Sequence, residues 1–366
     1  MALFSRLELT HFRNFDYAVI EPRPGFNILY GRNGSGKTNI LEALFFLSLG
    51  KSQRGASSKD FIRFGADHFM VTASVKDRDK IREIRASGTP KGHAFFMNQN
   101  RLESAAELIG NVMTVSFSPD DLSLSSGPPS ERRRYLNMLL SQSDISYFIG
   151  LIEYNRTLAQ RNACLKWSAP DPKFLSVLTD TLIRKGAELR CKRRGLIETL
   201  VPHAQRILAD LTENAENLSL SYQPEGPKDP SSAEKELASA FTDLERQELF
   251  TQSTLCGPHL DDFEVLLNGK EARRFASRGQ HRSISLSLKL AAVDFLKSAK
   301  GGPCVLLLDD IFAELDEKRC ARLIKSVQSG DQVFAASPQP MRWDLPEDTG
   351  IFEIEEGRAK EQHGRA

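Results

Sequence analysis

The chain has 366 residues, of which 40% are hydrophobic and 27% are charged, and its formal net charge at pH 7 is +1. A core large enough for two domains is therefore expected, whereas a polycation that binds nucleic acid over its whole surface is excluded. The five cysteines include no C-x-x-C pair, which argues against a zinc motif or a disulfide framework and predicts reduced thiols in the cytoplasm. No apolar run has the length of a signal peptide core or a bilayer span, so no membrane association is predicted.

The first third of the chain contains short apolar runs that are typical of β-strands. A charged turn at 76–79 separates two of these runs and predicts a hairpin. A mostly apolar helix is predicted over residues 38–49, and Gly50 is expected to end it in the left-handed capping position. The predicted strands cover residues 3–9, 26–30, 69–75, 81–86, 95–97 and 112–117.

A phosphate-binding loop lies between the strand at 26–30 and this helix. Its sequence fits G-x-x-x-x-G-K-[ST] at every fixed position, and strand, loop and helix follow one another as the motif requires. Backbone N–H groups converge on a phosphate only where side chains do not intervene, which explains the glycines. The residues predicted to bind the nucleotide are Gly31, Arg32, Asn33, Gly34, Ser35, Gly36, Lys37 and Thr38.

The end of this loop predicts a nucleoside triphosphate and Mg²⁺ as ligands. The start of the helix would direct its positive dipole end towards the anion, and Lys37 would neutralise the β- and γ-phosphates. The Thr38 hydroxyl would be a ligand of Mg²⁺. The alternative is a glycine-rich turn without a ligand, but Lys-Thr directly after glycine at a helix start disfavours it.

The pattern changes after Pro119. Apolar residues three or four apart predict helices from residue 131 to about 216, interrupted at 168–172 and too short for a long coiled coil. The polar tail after Glu355 is expected to be frayed. The other predicted elements are a strand at 218–222, an exposed loop at 224–232, helices at 233–250, 283–297 and 312–327, and strands at 263–267, 305–308 and 332–336.

Two carboxylates follow the apolar strand at 305–308. The carboxyl end of a parallel strand lies at the edge where the phosphate loop binds its ligand, so Asp309 can reach the Mg²⁺ held by Thr38. Asp310 lies one residue further and could orient or deprotonate the attacking water, which makes it the candidate catalytic residue beside Lys37. A pair of helix-capping aspartates is the alternative interpretation.

A second anion-binding helix start is predicted before residue 283. Ser277, Gly279 and Gln280 supply a hydroxyl, a glycine and an amide there, and they are candidate catalytic residues. Between a phosphate loop and an Asp-Asp strand, this segment resembles the signature motif of ABC-type ATPases, in which one subunit's signature closes on the other subunit's γ-phosphate. The segment 313–316 resembles the short loop that crosses that dimer interface.

Taken together, these motifs make the whole chain similar to the RecF family, bacterial recombination mediators in DNA replication and repair with an ABC-type, SMC-like ATPase head. Four blocks of sequence carry the resemblance. They are residues 12–15 with the phosphate loop; residues 119–122 with Gly127, Pro129, Arg132 and Arg133; residues 254–262; and residues 307–310 with Glu314, Leu315, Asp316, Arg319 and Leu323.

The resemblance implies an α/β fold, an ABC-type P-loop ATPase head with a helical arm domain inserted. Residues 1–119 and 251–366 would form the head, the second part carrying the signature and Walker B motifs, and residues 120–250 would form the arm. It implies ATP and Mg²⁺ as cofactors, an ATP-dependent homodimer, weak DNA-dependent ATP hydrolysis as a switch, and double-stranded DNA at single-strand/duplex junctions. It also implies RecR and RecO as partners in loading RecA on gaps coated with single-strand-binding protein.

Three positions depart from transporter-type ATPases. Asp310 replaces the catalytic glutamate, Ser337 replaces the switch histidine, and no Q-loop glutamine occurs near Phe117. These differences favour slow, switch-like hydrolysis, and together with the helical insertion they disfavour the nucleotide-binding subunit of a membrane transporter. The other alternative, a Rad50- or SMC-like structural ATPase, is disfavoured because long heptad runs and a C-x-x-C hook are absent from the sequence.

Basic clusters are candidates for contacts with DNA phosphates. Arg273 and Arg274 lie close to the signature and would serve DNA or the dimer. For the others, a solvated helix face with ion pairs is an equal alternative. They are Arg132, Arg133 and Arg134, and the group Arg184, Lys185, Arg190, Lys192, Arg193 and Arg194.

Overall fold

The computed structural model describes residues 2–78, 80–167, 171–314, 317–326, 331–339 and 346–362. Its first elements are β1 (Leu3–Phe12), β2 (Phe15–Ile20), β3 (Gly25–Tyr30), α1 (Lys37–Leu49), α2 (Ser58–Phe61), β4 (Phe69–Asp77), β5 (Lys80–Thr89), β6 (Gly92–Met97), β7 (Asn100–Arg101) and β8 (Thr114–Phe117). The middle of the chain forms α3 (Ser123–Ser126), α4 (Pro129–Ser143), α5 (Ile145–Leu165), α6 (Pro172–Thr212), β9 (Leu218–Gln223), α7 (Pro230–Thr251), β10 (Asp262–Leu267), β11 (Lys270–Glu271) and α8 (Ala272–Phe275). The last elements are α9 (Arg278–Lys300), β12 (Val305–Asp309), α10 (Ile311–Glu314), α11 (Glu317–Ser326), β13 (Gln332–Ser337), β14 (Gly350–Glu355) and β15 (Arg358–Glu361).

Two compact units divide the chain. The first consists of Met1–Asp121 and Ala292–Ala366, and the second, which we call the helical unit, consists of Leu122–Ala291. The observed first boundary lies within two residues of the predicted one, but the second lies after Ala291 instead of after residue 250. The reason is packing: β10 pairs with β9, and the Tyr135 hydroxyl donates to the Leu288 carbonyl at 2.6 Å, so the start of α9 belongs with the helices.

The first unit contains two six-stranded sheets. One has the order β15-β14-β3-β13-β12-β8, with β14, β3, β13, β12 and β8 parallel. The other is antiparallel, with the order β2-β1-β4-β5-β6-β7. Helix α1 is almost entirely buried and contacts strands of both sheets, so the phosphate loop at its start is held by a rigid scaffold.

Most predicted elements are confirmed, and several differ. Strands β2 and β14 were missed, and the tail predicted to fray forms β15, which pairs with β14. An ion pair of 3.1 Å between Arg23 and Glu361 also holds this tail. Helix α6 runs for 41 residues through Pro202, although interrupted short helices were predicted, because α5 and α7 pack along it.

The helical unit packs α4, α5 and α7 around α6, with the three-stranded sheet β11-β10-β9 beside them. Its interior holds paired charges. The Arg161 guanidinium donates to the Glu248 carboxylate at 2.6 Å and to the Thr254 hydroxyl at 2.8 Å, and Glu248 is fully buried. Glu248 also accepts the Leu255 backbone N–H at 2.8 Å, so the pair fixes the segment that follows α7. Within the described residues, no helix has the length and apolarity needed to cross a membrane.

Replacing Arg161 by methionine should lower the free energy of unfolding by about 3–5 kcal/mol, because it leaves the Glu248 carboxylate buried without its partner. Urea unfolding followed by circular dichroism measures the loss. As a control, Lys228→Met breaks an exposed ion pair with Glu198 and should cost about 0–1 kcal/mol. Equal losses of unfolding free energy in the two variants would contradict the structural role of the buried pair of Arg161 and Glu248.

Candidate nucleotide-binding site

The phosphate loop connects β3 to α1 and has a backbone that only glycine adopts easily. Gly31, Gly34 and Gly36 have φ values of 154°, 79° and 119°. A Cβ atom on Gly31 would collide with the Ile354 carbonyl oxygen of β14, and one on Gly36 would lie 2.7 Å from the Asn14 side-chain oxygen. The neighbouring backbone and side chains therefore require glycine at the first and third of these positions.

The Lys37 side chain is buried and lies within the loop. Its Nζ donates to the carbonyl oxygens of Gly31 at 2.7 Å and Arg32 at 3.0 Å. Burial lowers the pKa of Lys37, and the charges of Asp310 and Asp309 oppose this effect. The ammonium group is thus held where the loop backbone curves around it, as a cation that neutralises a bound anion must be.

Asp309 lies at the end of β12, beside the start of α1. Thr38 Oγ1 donates to Asp309 Oδ1 at 2.8 Å, and the Arg54 guanidinium lies 3.5 Å from the same carboxylate. Burial raises the pKa of Asp309, and the negative charge of Asp310 raises it further. The hydrogen bond from Thr38 and the positive charges of Arg54 and Lys37 oppose this increase. The structure therefore brings together Lys37, Thr38 and Asp309, which are far apart in the sequence.

The oxygen atoms of Thr38 and Asp309 form a donor set that suits Mg²⁺. Magnesium usually takes one or two protein oxygens and completes its octahedron with phosphate oxygens and water. The described residues include no cluster of three or more His, Cys, Asp and Glu side chains that could hold a metal alone. These two donors therefore fit a metal shared with a nucleotide and not a metal held in a cage of side chains.

Asp310 has two unusual features. Its backbone is left-handed, with φ 50°, and its buried Oδ1 has no hydrogen-bond partner among the described residues. Both features carry an energetic cost, and such costs concentrate at functional sites. These two features mark Asp310 as a candidate functional residue.

Asn14 was not predicted as a site residue, yet it supports the loop directly. Its side-chain nitrogen donates to the Ser35 carbonyl at 2.7 Å, and its oxygen accepts from Asn39 at 2.8 Å. The preceding residue, Arg13, donates twice to Glu42 of α1, at 2.9 and 3.0 Å. Arg54 was missed as well, because no motif marks a residue in the loop after α1.

The signature segment belongs to the helical unit and differs from its prediction. Helix α9 begins at Arg278, five residues before the predicted start, so the segment forms its first turn. Ser277 and Gln280 cap this turn reciprocally: Gln280 N–H donates to Ser277 Oγ at 3.3 Å, and Ser277 N–H donates to Gln280 Oε1 at 2.7 Å. A Cβ on Gly279 would have Ser277 Oγ, 4.0 Å away, as its only described neighbour.

Known proteins resemble this chain over nearly its whole length. The family model of the RecF/RecN/SMC N-terminal domain matches residues 3–345. The DNA replication and repair protein RecF of Symbiobacterium thermophilum is 38% identical over 362 residues, with 96% of each chain covered. RecF of Streptococcus gordonii is 36% identical, covering 97% of this chain and 99% of its own. The chain belongs to the RecF family of DNA replication and repair proteins.

Solved structures give the same result for the RecF fold. A structure of the recombination mediator protein RecF with ATP, in the RecFOR pathway, superposes with a TM-score of 0.92 at 30% identity, covering 99% and 98% of the two chains. An Smc head domain from Pyrococcus furiosus, with an extended coiled coil, superposes with a TM-score of 0.59 at 17% identity, which shows the fold alone. The predicted ABC-type head with a helical insertion is confirmed, and the RecF assignment is supported over the transporter and Rad50- or SMC-like alternatives.

Two further positions are those where transporter-type ATPases have a switch histidine and a Q-loop glutamine. Ser337, where a switch histidine was expected, donates its hydroxyl to the Gln339 carbonyl at 2.6 Å, and its own carbonyl accepts the Gly31 N–H at 3.3 Å. The Ser118 N–H, near the expected Q-loop position, donates to Asp121 at 2.7 Å. Of the predicted interface loop 313–316, Leu315 and Asp316 lie outside the described residues.

Four of the nine arginines that were candidates for contacts with DNA are buried and structural. Arg132, Arg190, Arg193 and Arg194 are each no more than 5% exposed. Arg190 and Arg132 form bidentate contacts of 2.7–2.8 Å with Asp261 and Asp262. These buried groups are unavailable to DNA because their hydrogen bonds hold the helical unit together. Other members of the two clusters are also paired: Arg133 with the Asp261 carbonyl, Lys185 with Glu153 and Lys192 with Asp144.

Replacing Asp310 by asparagine should change the thermal midpoint of the ligand-free protein little at pH 7. The change relieves repulsion from Asp309 and removes attraction to Lys37, and asparagine tolerates a left-handed backbone. Scanning calorimetry measures the midpoint. Alanine removes the same charge but tolerates this backbone poorly, so Asp310→Ala should be about 1 kcal/mol less stable than Asp310→Asn. If Asp310→Asn lowered the thermal midpoint as much as Asp310→Ala, the carboxylate itself would be needed for the stability of the fold.

Proposed function

We propose that this RecF-family chain binds ATP with Mg²⁺ and uses it to close a homodimer on DNA at single-strand gaps. The observation that carries the proposal is the 2.8 Å contact between Thr38 and Asp309 beneath a loop that surrounds Lys37. A similar protein has been solved with ATP bound, which supports the choice of nucleotide.

Different residues of the site would bind the phosphates and the metal. The Lys37 ammonium neutralises the β- and γ-phosphates, and the loop N–H groups donate to their oxygens. Thr38 and Asp309 would hold Mg²⁺, which would neutralise charge on the phosphates when bound. The Arg54 guanidinium, close to Asp309, adds a second cation on the same side.

Hydrolysis would be slow and would serve as a switch. Asp310 is the candidate to position the water, because its buried Oδ1 has no hydrogen-bond partner in the part of the chain that the structure describes. Ser337 offers no imidazole, and its hydroxyl already donates to Gln339. Losing a positioned base typically slows a reaction by about 10²–10⁴, so Asp310→Asn should bind ATP but hydrolyse it more slowly by that order.

The proposed dimer uses the signature of one chain on the nucleotide of the other. Beyond its own helix, a Cβ on Gly279 would meet only Ser277 Oγ, at 4.0 Å, among the described residues, so the first turn of α9 has room for a phosphate group. Ser277 and Gln280 already cap each other, which holds the turn in a fixed shape before any ligand arrives. The positive end of the helix dipole adds to the attraction.

Mixing two inactive variants tests whether the signature acts across the dimer. Lys37→Met should lose ATP binding, and Ser277→Arg should bind ATP but fail to close, because a bulky cation enters the phosphate contact. A mixed dimer has one site with both defects and one intact site. With random pairing, half the dimers are mixed, so about a quarter of the wild-type sites should be restored.

The readout is ATP hydrolysis over the full range of mixing ratios, with mixed dimers demonstrated by two affinity tags. Cooperative closure would lower the restored fraction below a quarter. Activity that stays at background at every ratio, despite proven mixed dimers, would contradict the arrangement across the dimer. Each variant should keep a single cooperative thermal transition, which serves as the folding control.

The proposed DNA partner is duplex DNA beside a single-stranded gap, and the proposed protein partners are RecR and RecO. The family assignment and the RecFOR pathway of the similar protein support this choice. The exposed Arg273 and Arg274, just before the signature, remain candidates for contacts with phosphate, although Arg274 pairs with Glu271 at 2.8 Å.

Duplex affinity should fall steeply as salt rises and should depend little on sequence, because contacts with phosphates release counterions. Fluorescence anisotropy of a labelled duplex, with ATP present, measures this. Replacing Arg273 and Arg274 by glutamine should reduce the slope of log affinity against log salt by about one for each arginine that binds a phosphate. A flat salt response of the unsubstituted protein would argue that DNA is not its partner.

A further inference from the structure

The end of the α5–α6 hairpin carries an aromatic pair that the proposed function does not use. The Trp167 and Phe174 rings have centroids 6.1 Å apart and planes within 7° of parallel. Their exposed fractions are 51% and 42%, so neither ring is enclosed by the fold. The rings are not members of the buried apolar cluster beside them, which groups Cys164, Leu165, Leu175 and Leu178.

The planes of Trp167 and Phe174 are closer to parallel than those of the buried phenylalanines of the first unit, where Phe12 and Phe61 stack at 24°. Phe46 meets Phe69 and Phe95 at tilts of 54°, which interlocks the rings in the first unit. Parallel rings instead present broad faces on which another planar group can stack. Val177, 62% exposed and one turn after Phe174, extends the apolar surface.

Positive charge flanks the two rings. Lys166 and Lys173 directly precede Trp167 and Phe174, and both are exposed. Neither ammonium group forms an ion pair with the described residues. The acid between them in the sequence, Asp171, accepts the Lys173 backbone N–H at 2.9 Å and caps α6. Lysine is depleted at protein–protein interfaces, so its presence at both rings favours a nucleic acid over a protein.

We propose that this aromatic pair is a stacking platform for unpaired bases of single-stranded DNA. Bases would stack on the faces of Trp167 and Phe174 while Lys166 and Lys173 contact the adjoining phosphates. Every base has a π-face, so binding would tolerate any sequence. The inference rests on the proposed function at gapped DNA and adds a single-strand contact within the helical unit to the ATP-dependent duplex contact.

Tryptophan fluorescence tests the platform directly. The chain has two tryptophans, Trp167 and Trp343, the second outside the described residues. In a Trp343→Phe background, only Trp167 emits, and oligothymidylate should quench its emission in a saturable titration. An abasic oligonucleotide of the same length has the same phosphates but no bases, so it should leave the emission nearly unchanged.

Substitutions extend the test. Phe174→Ala should weaken oligothymidylate binding about tenfold, which is within the range for loss of one stacked ring. Phe250→Ala removes an 88% exposed phenylalanine elsewhere in the helical unit and should have no effect. In the protein with both native tryptophans, Trp167→Ala should weaken the binding of a labelled oligonucleotide measured by anisotropy, and Trp167→Phe should recover most of the binding.

Several results would overturn the proposal. They are absence of quenching, equal quenching by the abasic oligonucleotide, or equal weakening by Phe174→Ala and Phe250→Ala. Loss of RecR binding in Trp167→Ala, with oligonucleotide binding unchanged, would show a protein-docking surface instead. Binding of a blunt duplex with ATP is measured on the same samples and should be unchanged in Phe174→Ala. If the unsubstituted protein did not bind the blunt duplex with ATP, that result would contradict the proposed function, and the quenching test would still be valid.

Discussion

The nucleotide site depends on keeping three ionisable groups, Lys37, Asp309 and Asp310, together at the start of a largely buried helix. Burial disfavours the charge on Lys37 and on Asp309, and the opposite charges favour each other across the loop. The arrangement persists because α1 is packed against both sheets and cannot relax away from β12. The same rigidity sustains the left-handed backbone at Asp310, which an isolated turn would avoid.

The sequence was informative where function follows from local pattern. The phosphate loop, the helix that ends at Gly50 and the strand that ends at Asp309 each have a short motif with a physical reason, and the structure has all three elements. It was uninformative where a side chain's partner is distant. Arg132 lies 130 positions from Asp262, and nothing near it distinguishes a buried arginine from one that meets DNA. The strand β15 was missed for the same reason, since its polar residues gain order only by pairing with β14.

The arginines of the helical unit show that a cluster of positive charge in the sequence can be buried and paired in the structure. Arg161, Arg190 and Arg193 share the interior with tyrosines and carboxylates. Their hydrogen bonds to Thr254, Asp261 and the Pro258 carbonyl converge on the segment between α7 and β10. A buried charge network of this kind contributes little net stability compared with apolar packing, but a broken member costs several kcal/mol. We infer that the network fixes one arrangement of helices α4, α5, α6 and α7. This arrangement would hold β10 and the signature segment that follows it in a defined position within the helical unit.

The position of β3 has a consequence for how the protein is made. Its two neighbours in the sheet are β13 and β14, and a hydrogen bond from Asn27 to Val333 joins residues 306 positions apart. A ribosome therefore releases the motif that binds phosphate long before it releases the strands that flank it. The helical unit, by contrast, is continuous in the chain and has all its strands and helices early enough to fold first. Nascent chains should consequently lack the complete candidate nucleotide site until translation is nearly finished.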